Sequence, residues 1–187
     1  MILEGIVTTL NEDGSVNISP MGPRVDRTLD WLELRPFRTS ATYRNLKRSG
    51  VGVFHVIDDA LLLARAAIHD FPEPVPVVPC RAVSGMVLED ACHWLALEVQ
   101  QLQDDQERTT IHCRTVHRQH VRPFLGWNRA QHAVIEAAIL ATRVHLLDAE
   151  AIRQQLAALE PLVQKTAGPG EQQAFALLSS YIEGAIR

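Results

Sequence analysis

The alternation of apolar and polar positions divides the chain into a strand-rich first two-thirds and a helical last third. Residues 4–10 read as a strand, and Asn11-Glu12-Asp13-Gly14 supplies the Asp-Gly signal of a hairpin. The return strand is expected over 15–19, stopped by Pro20. Over 28–35 a half-regular strand places Leu29, Trp31 and Glu33 on one face, with Asp30, Leu32 and Leu34 on the other.

Residues 41–49 predict a short helix, with Ser40 or Thr39 as its N-cap and Gly50 past its end. A buried strand is expected over 51–57, followed by a second short helix over 60–67 capped by Asp58-Asp59. Pro72, Pro74, Pro76 and Pro79 make 68–80 an extended loop. Strands are expected over 81–88, 94–102 and 108–121.

The pattern changes after Pro123. A helix is expected from Asn128 to about Leu147, with Val134, Ala137, Ala138, Ala141 and Val144 at helical spacing. Asp148 caps the next helix, which Pro161 kinks or ends and Gly168-Pro169-Gly170 closes; 171–187 forms the last. There is no internal repeat and no low-complexity tract. The expected organisation is α+β: a β-barrel over 1–123, then a three-helix appendage over 124–187.

Composition adds limits. The chain has 187 residues, of which 47% are apolar, enough for a core. No apolar run approaches the ~18 residues of a spanning helix, so no membrane partner is expected. The first ten residues contain Glu4 and no basic residue, unlike a signal or transit peptide, which reads as a cytoplasmic protein. A net charge of −4 gives no support for a nucleic-acid partner. Cys80, Cys92 and Cys113 are odd in number and widely spaced, so neither a disulfide framework nor a zinc ribbon is expected. Of the 18 basic residues 16 are arginine, which suits two-pronged recognition of phosphate or carboxylate; a genomic codon bias explains it equally well.

The sequence lacks a G-x-G-x-x-G turn, a Walker-type loop, a G-x-S-x-G elbow and an H-E-x-x-H helix. Two positive signals remain. In Asn17-Ile18-Ser19-Pro20-Met21-Gly22 a proline at a strand end leaves backbone groups without ladder partners. Such groups can meet the donor and acceptors along the pyrimidine edge of a flavin, and Gly22 allows close approach. An ordinary exit from a strand into a loop accounts for the same residues.

The second signal is Arg38-Thr39-Ser40-Ala41-Thr42 at the start of the 41–49 helix. Hydroxyls and an arginine beside unpaired helix N–H groups make a phosphate cradle. A plain N-cap with a solvated arginine is the alternative. Joined by one strand, the two signals can address the ring and phosphate ends of one ligand.

The order N-x-x-P-M-G, then a strand, then a Thr/Ser-rich turn into a helix with Thr42 and Asn45-Leu46, resembles the FMN-binding split β-barrel superfamily on its flavin-reductase-like side. Residues 123–130 (Pro-Phe-Leu-Gly-Trp-Asn-Arg-Ala), the helix they enter and Lys165-Thr166-Ala167-Gly168 resemble a prokaryotic family of that superfamily with a helical C-terminal extension. The resemblance implies a homodimer with flavin mononucleotide (FMN) near the subunit interface. It implies Asn17, Ser19, Pro20 and Met21 against the ring and Arg38, Thr39, Ser40 and Thr42 on the phosphate; Gly22, Asn45, His55 and Asn128 are the remaining candidates for cofactor binding. It implies no catalytic residue. Relatives commonly carry asparagine where this chain has His55; a histidine there can donate to the flavin, making that contact pH-sensitive, or sit away from the ring.

Asn128 reads either as an N-cap or, with Arg129, as a group projecting from its helix into the flavin site. Between Arg108 and His132 there are five arginines, four histidines and no acidic residue. That segment is either a positive ridge for an anionic ligand or a solvated face paired with acids elsewhere. A metal site from His112, Cys113, His117 and His120 lacks a known ligand spacing, and none is expected.

The expected function is that of an FMN-dependent oxidoreductase, passing electrons between a nicotinamide or small donor and a small-molecule acceptor; the resemblance implies a pterin-like substrate. A non-catalytic FMN carrier or sensor, or an assembly protein that has lost the flavin, would be built on the same fold.

Overall fold

The computed structural model describes residues 1–186. The chain forms two compact units, one of residues 1–57 with 75–124 and the other of 58–74 with 125–186.

The first unit is built on an antiparallel seven-stranded sheet with strand order β2-β1-β5-β8-β9-β4-β3. Its strands are β1 (Gly5–Leu10), β2 (Val16–Met21), β3 (Arg24–Val25), β4 (Trp31–Leu34), β5 (Val51–Val56), β8 (His93–Gln103) and β9 (Thr110–His120). One core cluster unites Val7 of β1, Phe54 of β5, Leu95 and Leu97 of β8, and Leu32 and Leu34 of β4. Strands far apart in sheet order can share a core only if the sheet curls. At the seam, Ile2 bridges to Arg24, and the N–H groups of Leu3 and Val25 donate to Pro23 and Met1 carbonyls. The sheet is therefore a half-barrel, stapled by its N-terminal residues.

Helix α1 (Ala41–Ser49) packs on β1 and β2, capped by Ser40 and ended by Gly50 at φ 70°, with Tyr43 and Leu46 in the core. Gly14 (φ 83°) turns the β1–β2 hairpin, whose Asn11 accepts from the Gly14 N–H. Two differences from the sequence reading concern proline. Strand β2 runs through Pro20 to Met21, because an edge strand tolerates a residue with no outward N–H. The proline-rich segment contains a short strand, β6 (Val77–Pro79), which pairs with β7 (Met86–Leu88) as a separate ribbon. Residues 81–85 precede that second strand and are not part of it.

In the second unit, α2 (Ala60–Ile68) packs with α3 (Arg129–Ala141) and α5 (Pro169–Ala185), and α3 packs on α4 (Ala149–Thr166). Asp59, Asn128 and Asp148 cap α2, α3 and α4. Helix α3 ends at Ala141, short of the expected Leu147, and α4 continues through Pro161. Pro169 begins α5, where a proline's missing N–H costs nothing. Among the described residues no helix is long and apolar enough to cross a membrane.

Candidate functional site

The fold brings the two sequence signals into direct contact. Antiparallel register pairs Asn17 with Thr9, Ser19 with Val7 and Met21 with Gly5, so these side chains share the sheet face on which α1 packs. The Asn17 amide donates to Thr9 Oγ1 and Thr42 Oγ1, both at 3.1 Å, and Asn17 Oδ1 accepts from Ser19 Oγ at 3.3 Å. The Asn45 amide donates to Thr9 Oγ1 (3.0 Å) and Asn11 Oδ1 (2.8 Å). Among the described residues no buried side-chain nitrogen or oxygen lacks a partner. Every buried polar atom of the web thus has a partner, and the web ties β2 to the first turn of α1.

The web sets the surroundings of two of the expected site residues. Thr42 is 1% exposed and Asn45 5% exposed, and both face the web rather than the surface. The Thr42 hydroxyl is turned inward against β2, where it accepts from the Asn17 amide. Gly22 has a local reason for lacking a side chain: a Cβ there would lie 2.9 Å from the Glu4 carboxylate and from Ile2.

At the surface end of the web, Arg38 and Thr39 are exposed and Ser40 half-buried. Ser40 Oγ accepts the Tyr43 N–H and donates to the Phe37 carbonyl, so its hydroxyl is committed to the turn. The first turn of α1 holds no acidic residue. By position, the N–H groups of Ala41 and Thr42 have no acceptor within the helix. Partial positive charge, two free helix donors and a nearby guanidinium fit a dianionic phosphate.

His55 lies elsewhere. Neighbouring Phe54 enters the barrel core, so strand alternation turns His55 to the opposite sheet face. It is 0% exposed; Nδ1 lies 3.2 Å from the Ile6 carbonyl, and Nε2 accepts the Leu88 N–H at 3.1 Å. Nδ1 therefore carries the proton and donates, leaving no polar atom for a flavin. Burial pushes the imidazole down to about 4, partly opposed by the Ile6 carbonyl.

Asn128 sits in the helical unit, where Oδ1 accepts the Ala130 N–H (2.7 Å) and the amide donates to the Thr166 carbonyl (3.2 Å). It caps α3 and fastens the end of α4. The arginine-rich segment is mostly β9, and acids from turns elsewhere in this unit meet it: Arg118 pairs with Asp30 just before β4, and Arg122, past the end of β9, pairs with Asp90. Histidines there contact other rings, His120 with His93 and His117 with Trp94, each at 5.2 Å. Among the described residues no group of three or more His, Cys, Asp or Glu side chains could hold a metal. Burial raises the Cys113 thiol to about 12, which removes it as a nucleophile.

Two features carried no local sequence signal. One is a groove of about 790 Å³ beneath the β6–β7 ribbon, with Trp94, His117, Arg81 and Glu89 in its walls. The other is a Tyr43–Lys47–Asp104 cluster beside the cradle. Both join residues from distant parts of the chain.

Residues 3–122 match the family described as "Protein of unknown function (DUF447) N-terminal domain", and residues 128–180 match "Protein of unknown function (DUF447)". The chain belongs to the DUF447 family. No curated protein matches it. An FMN-bound DUF447 protein from Methanosarcina mazei superposes with a TM-score of 0.82 at 24% identity, over 96% of this chain and 94% of that one. The flavoredoxin of Desulfovibrio vulgaris gives 0.54 at 13% identity, over 64% and 69%. The styrene monooxygenase flavin reductase of Pseudomonas putida gives 0.53 at 14% identity, over 64% and 82%. The half-barrel of this DUF447 chain is thus the flavin-reductase-like split barrel, and the α+β reading with C-terminal helices is borne out.

Proposed function

We propose that this DUF447 chain binds FMN and serves as an FMN-dependent oxidoreductase, acting as a cytoplasmic homodimer on a small-molecule substrate. The observation that carries the reading is the buried hydrogen-bond web, which fixes a strand-edge motif against an acid-free helix start. An FMN-bound relative matched over nearly the whole chain supports it. In this reading Arg38 supplies charge to the phosphate, Thr39 a hydroxyl, and the start of α1 its N–H groups. Backbone groups around Ser19, Pro20 and Met21, at the outer edge of β2, meet the flavin ring. Asn17, Thr42 and Asn45 hold those two parts in register without touching the ligand. FMN, when bound, supplies the redox chemistry; the chain orients the ring and excludes solvent from one side of it.

The test is a visible spectrum of the purified protein before and after NADH or NADPH, with FMN and riboflavin affinities measured alongside. FMN is expected to bind more tightly than riboflavin, and Arg38→Ala or Thr39→Ala to narrow that gap by about 1–2 kcal/mol. Equal affinities would sink the cradle. A flavin spectrum that no donor bleaches would favour a carrier or sensor. With His55 turned away, none of the proposed contacts is an acid or base able to titrate near neutrality, which is the observation behind that second reading.

A further inference from the structure

We infer that the tip of the β8–β9 hairpin is the second wall of the phosphate cradle, with Tyr43, Lys47 and Asp104 as the positioning residues that latch it there. The inference rests on the FMN reading above and adds a regulating element to the same site.

Residues 35–40, which carry Arg38 and Thr39, gain their shape from the hairpin tip. The Arg38 N–H donates to the Glu107 carbonyl at 3.0 Å. Thr109 donates twice to the Pro36 carbonyl, from its N–H at 3.0 Å and from Oγ1 at 2.8 Å. Phe37 bridges to Arg108, whose guanidinium stands 4.9 Å over the Phe37 ring. One turn into α1, the Tyr43 hydroxyl donates to Asp104 Oδ2 at 2.5 Å, and Lys47 Nζ donates to the same oxygen at 2.6 Å. Tyr43 and Lys47 are four residues apart and so share a helix face. The Tyr43 ring belongs to the barrel core, which makes its hydroxyl a fixed point.

Charge gives the latch its consequence. The tip reads Asp104-Asp105-Gln106-Glu107, three carboxylates next to a proposed anion site. The hydrogen bonds from Lys47 and Tyr43 hold the Asp104 carboxyl below its usual range, and the bond to Asp104 raises Lys47. Asp104 therefore stays ionised but is neutralised in place. Arg38 also lies in its field. A released tip would let these carboxylates compete with phosphate for Arg38 and repel the phosphate directly. Latched, it holds the backbone of Arg38 by the Glu107 carbonyl and keeps Asp104 on Lys47.

The experiment measures FMN and riboflavin dissociation constants for the full chain and for Tyr43→Phe, Lys47→Met and Lys47→Arg, at low and high salt. Tyr43→Phe and Lys47→Met are expected to weaken FMN about fivefold to twentyfold at low salt, less at high salt, and riboflavin less than about twofold. Lys47→Arg should restore most of the FMN affinity. Equal weakening of the two flavins would reduce the cluster to a fold-stabilising contact and overturn the inference, as would no change in either. Loss of FMN preference in Arg38→Ala with none in the latch variants would keep the cradle and reject the latch. An unaltered chain that binds neither flavin would overturn both.

Discussion

Thr42 and Thr39 are three residues apart in one motif, yet their surroundings give them opposite roles. Thr42 accepts a hydrogen bond from buried Asn17, so Thr42→Val leaves an amide hydrogen without a partner. We expect that change to destabilise the flavin-free protein by about 1–3 kcal/mol in urea unfolding, whereas Thr39→Ala leaves it unaltered. Equal unfolding curves for Thr42→Val and the parent chain would show that the web relaxes around the loss. His55 gives a second prediction at this scale. Its folded pKa of about 4 lies below the ordinary imidazole value of 6.5, so the unfolded chain binds the extra proton between those pH values. Stability therefore rises with pH across that window: the contribution is complete above 6.5 and lost toward 4. The loss amounts to about 3 kcal/mol, and His55→Gln, which cannot titrate, should flatten that part of the stability-versus-pH curve. The Ser40 cap and the Gly50 end were legible because their partners lie within four residues in sequence. The burial of Thr42 and the turn of His55 were not, since each depends on partners 25 to 49 residues away.

The elements were most legible where capping residues punctuate them. Asp59, Asn128 and Asp148 mark three helix starts within a residue of where the chain begins to coil. Proline was the poorest guide, because its effect depends on which side of an element faces solvent. Pro20 is tolerated at a sheet edge, and Pro161 lies on the exposed face of α4, whose helix continues five residues beyond it. The ring still removes one helix hydrogen bond and crowds the carbonyl one turn back. Pro161→Ala is thus expected to stabilise the protein by about 1–3 kcal/mol, read as a higher melting temperature. An unchanged or lower midpoint would mean that the proline itself is needed for α4 to seat Ile152, Leu156 and Val163.

For the whole molecule, the barrel's class was legible and its division less so. The chain passes from the barrel unit to the helical unit at residue 58, returns at 75 and leaves again at 125. No local pattern in 58–74 announces this, since an amphipathic helix looks the same whichever partners bury it. Its buried residues Ala60, Leu63, Ala64 and Ala66 belong to an element that packs with α3 and α5. A chain cut after Pro123 would keep α2 and lose both partners. We expect such a fragment to bind a hydrophobic dye and to elute as aggregate in size exclusion, while the full chain does neither. A well-behaved, dye-silent fragment would show that α2 finds cover within the barrel unit.

The same excursion fixes an order of events during synthesis. Helix α2 is complete at Ile68, α3 begins at Arg129, and α5 is finished only at Ala185. At about 5–20 residues per second, α2 leaves the ribosome roughly 5–25 seconds before the last helix that buries it exists. Strands β1 to β5 precede α2 and β8 and β9 are completed in that interval, so the nascent chain carries a finished sheet and an unsheltered apolar helix at once. Such a chain is a natural client for a holding chaperone that shields α2 and lets go as α5 emerges. Slow codons placed after the barrel would lengthen that exposure, and fast ones would shorten it.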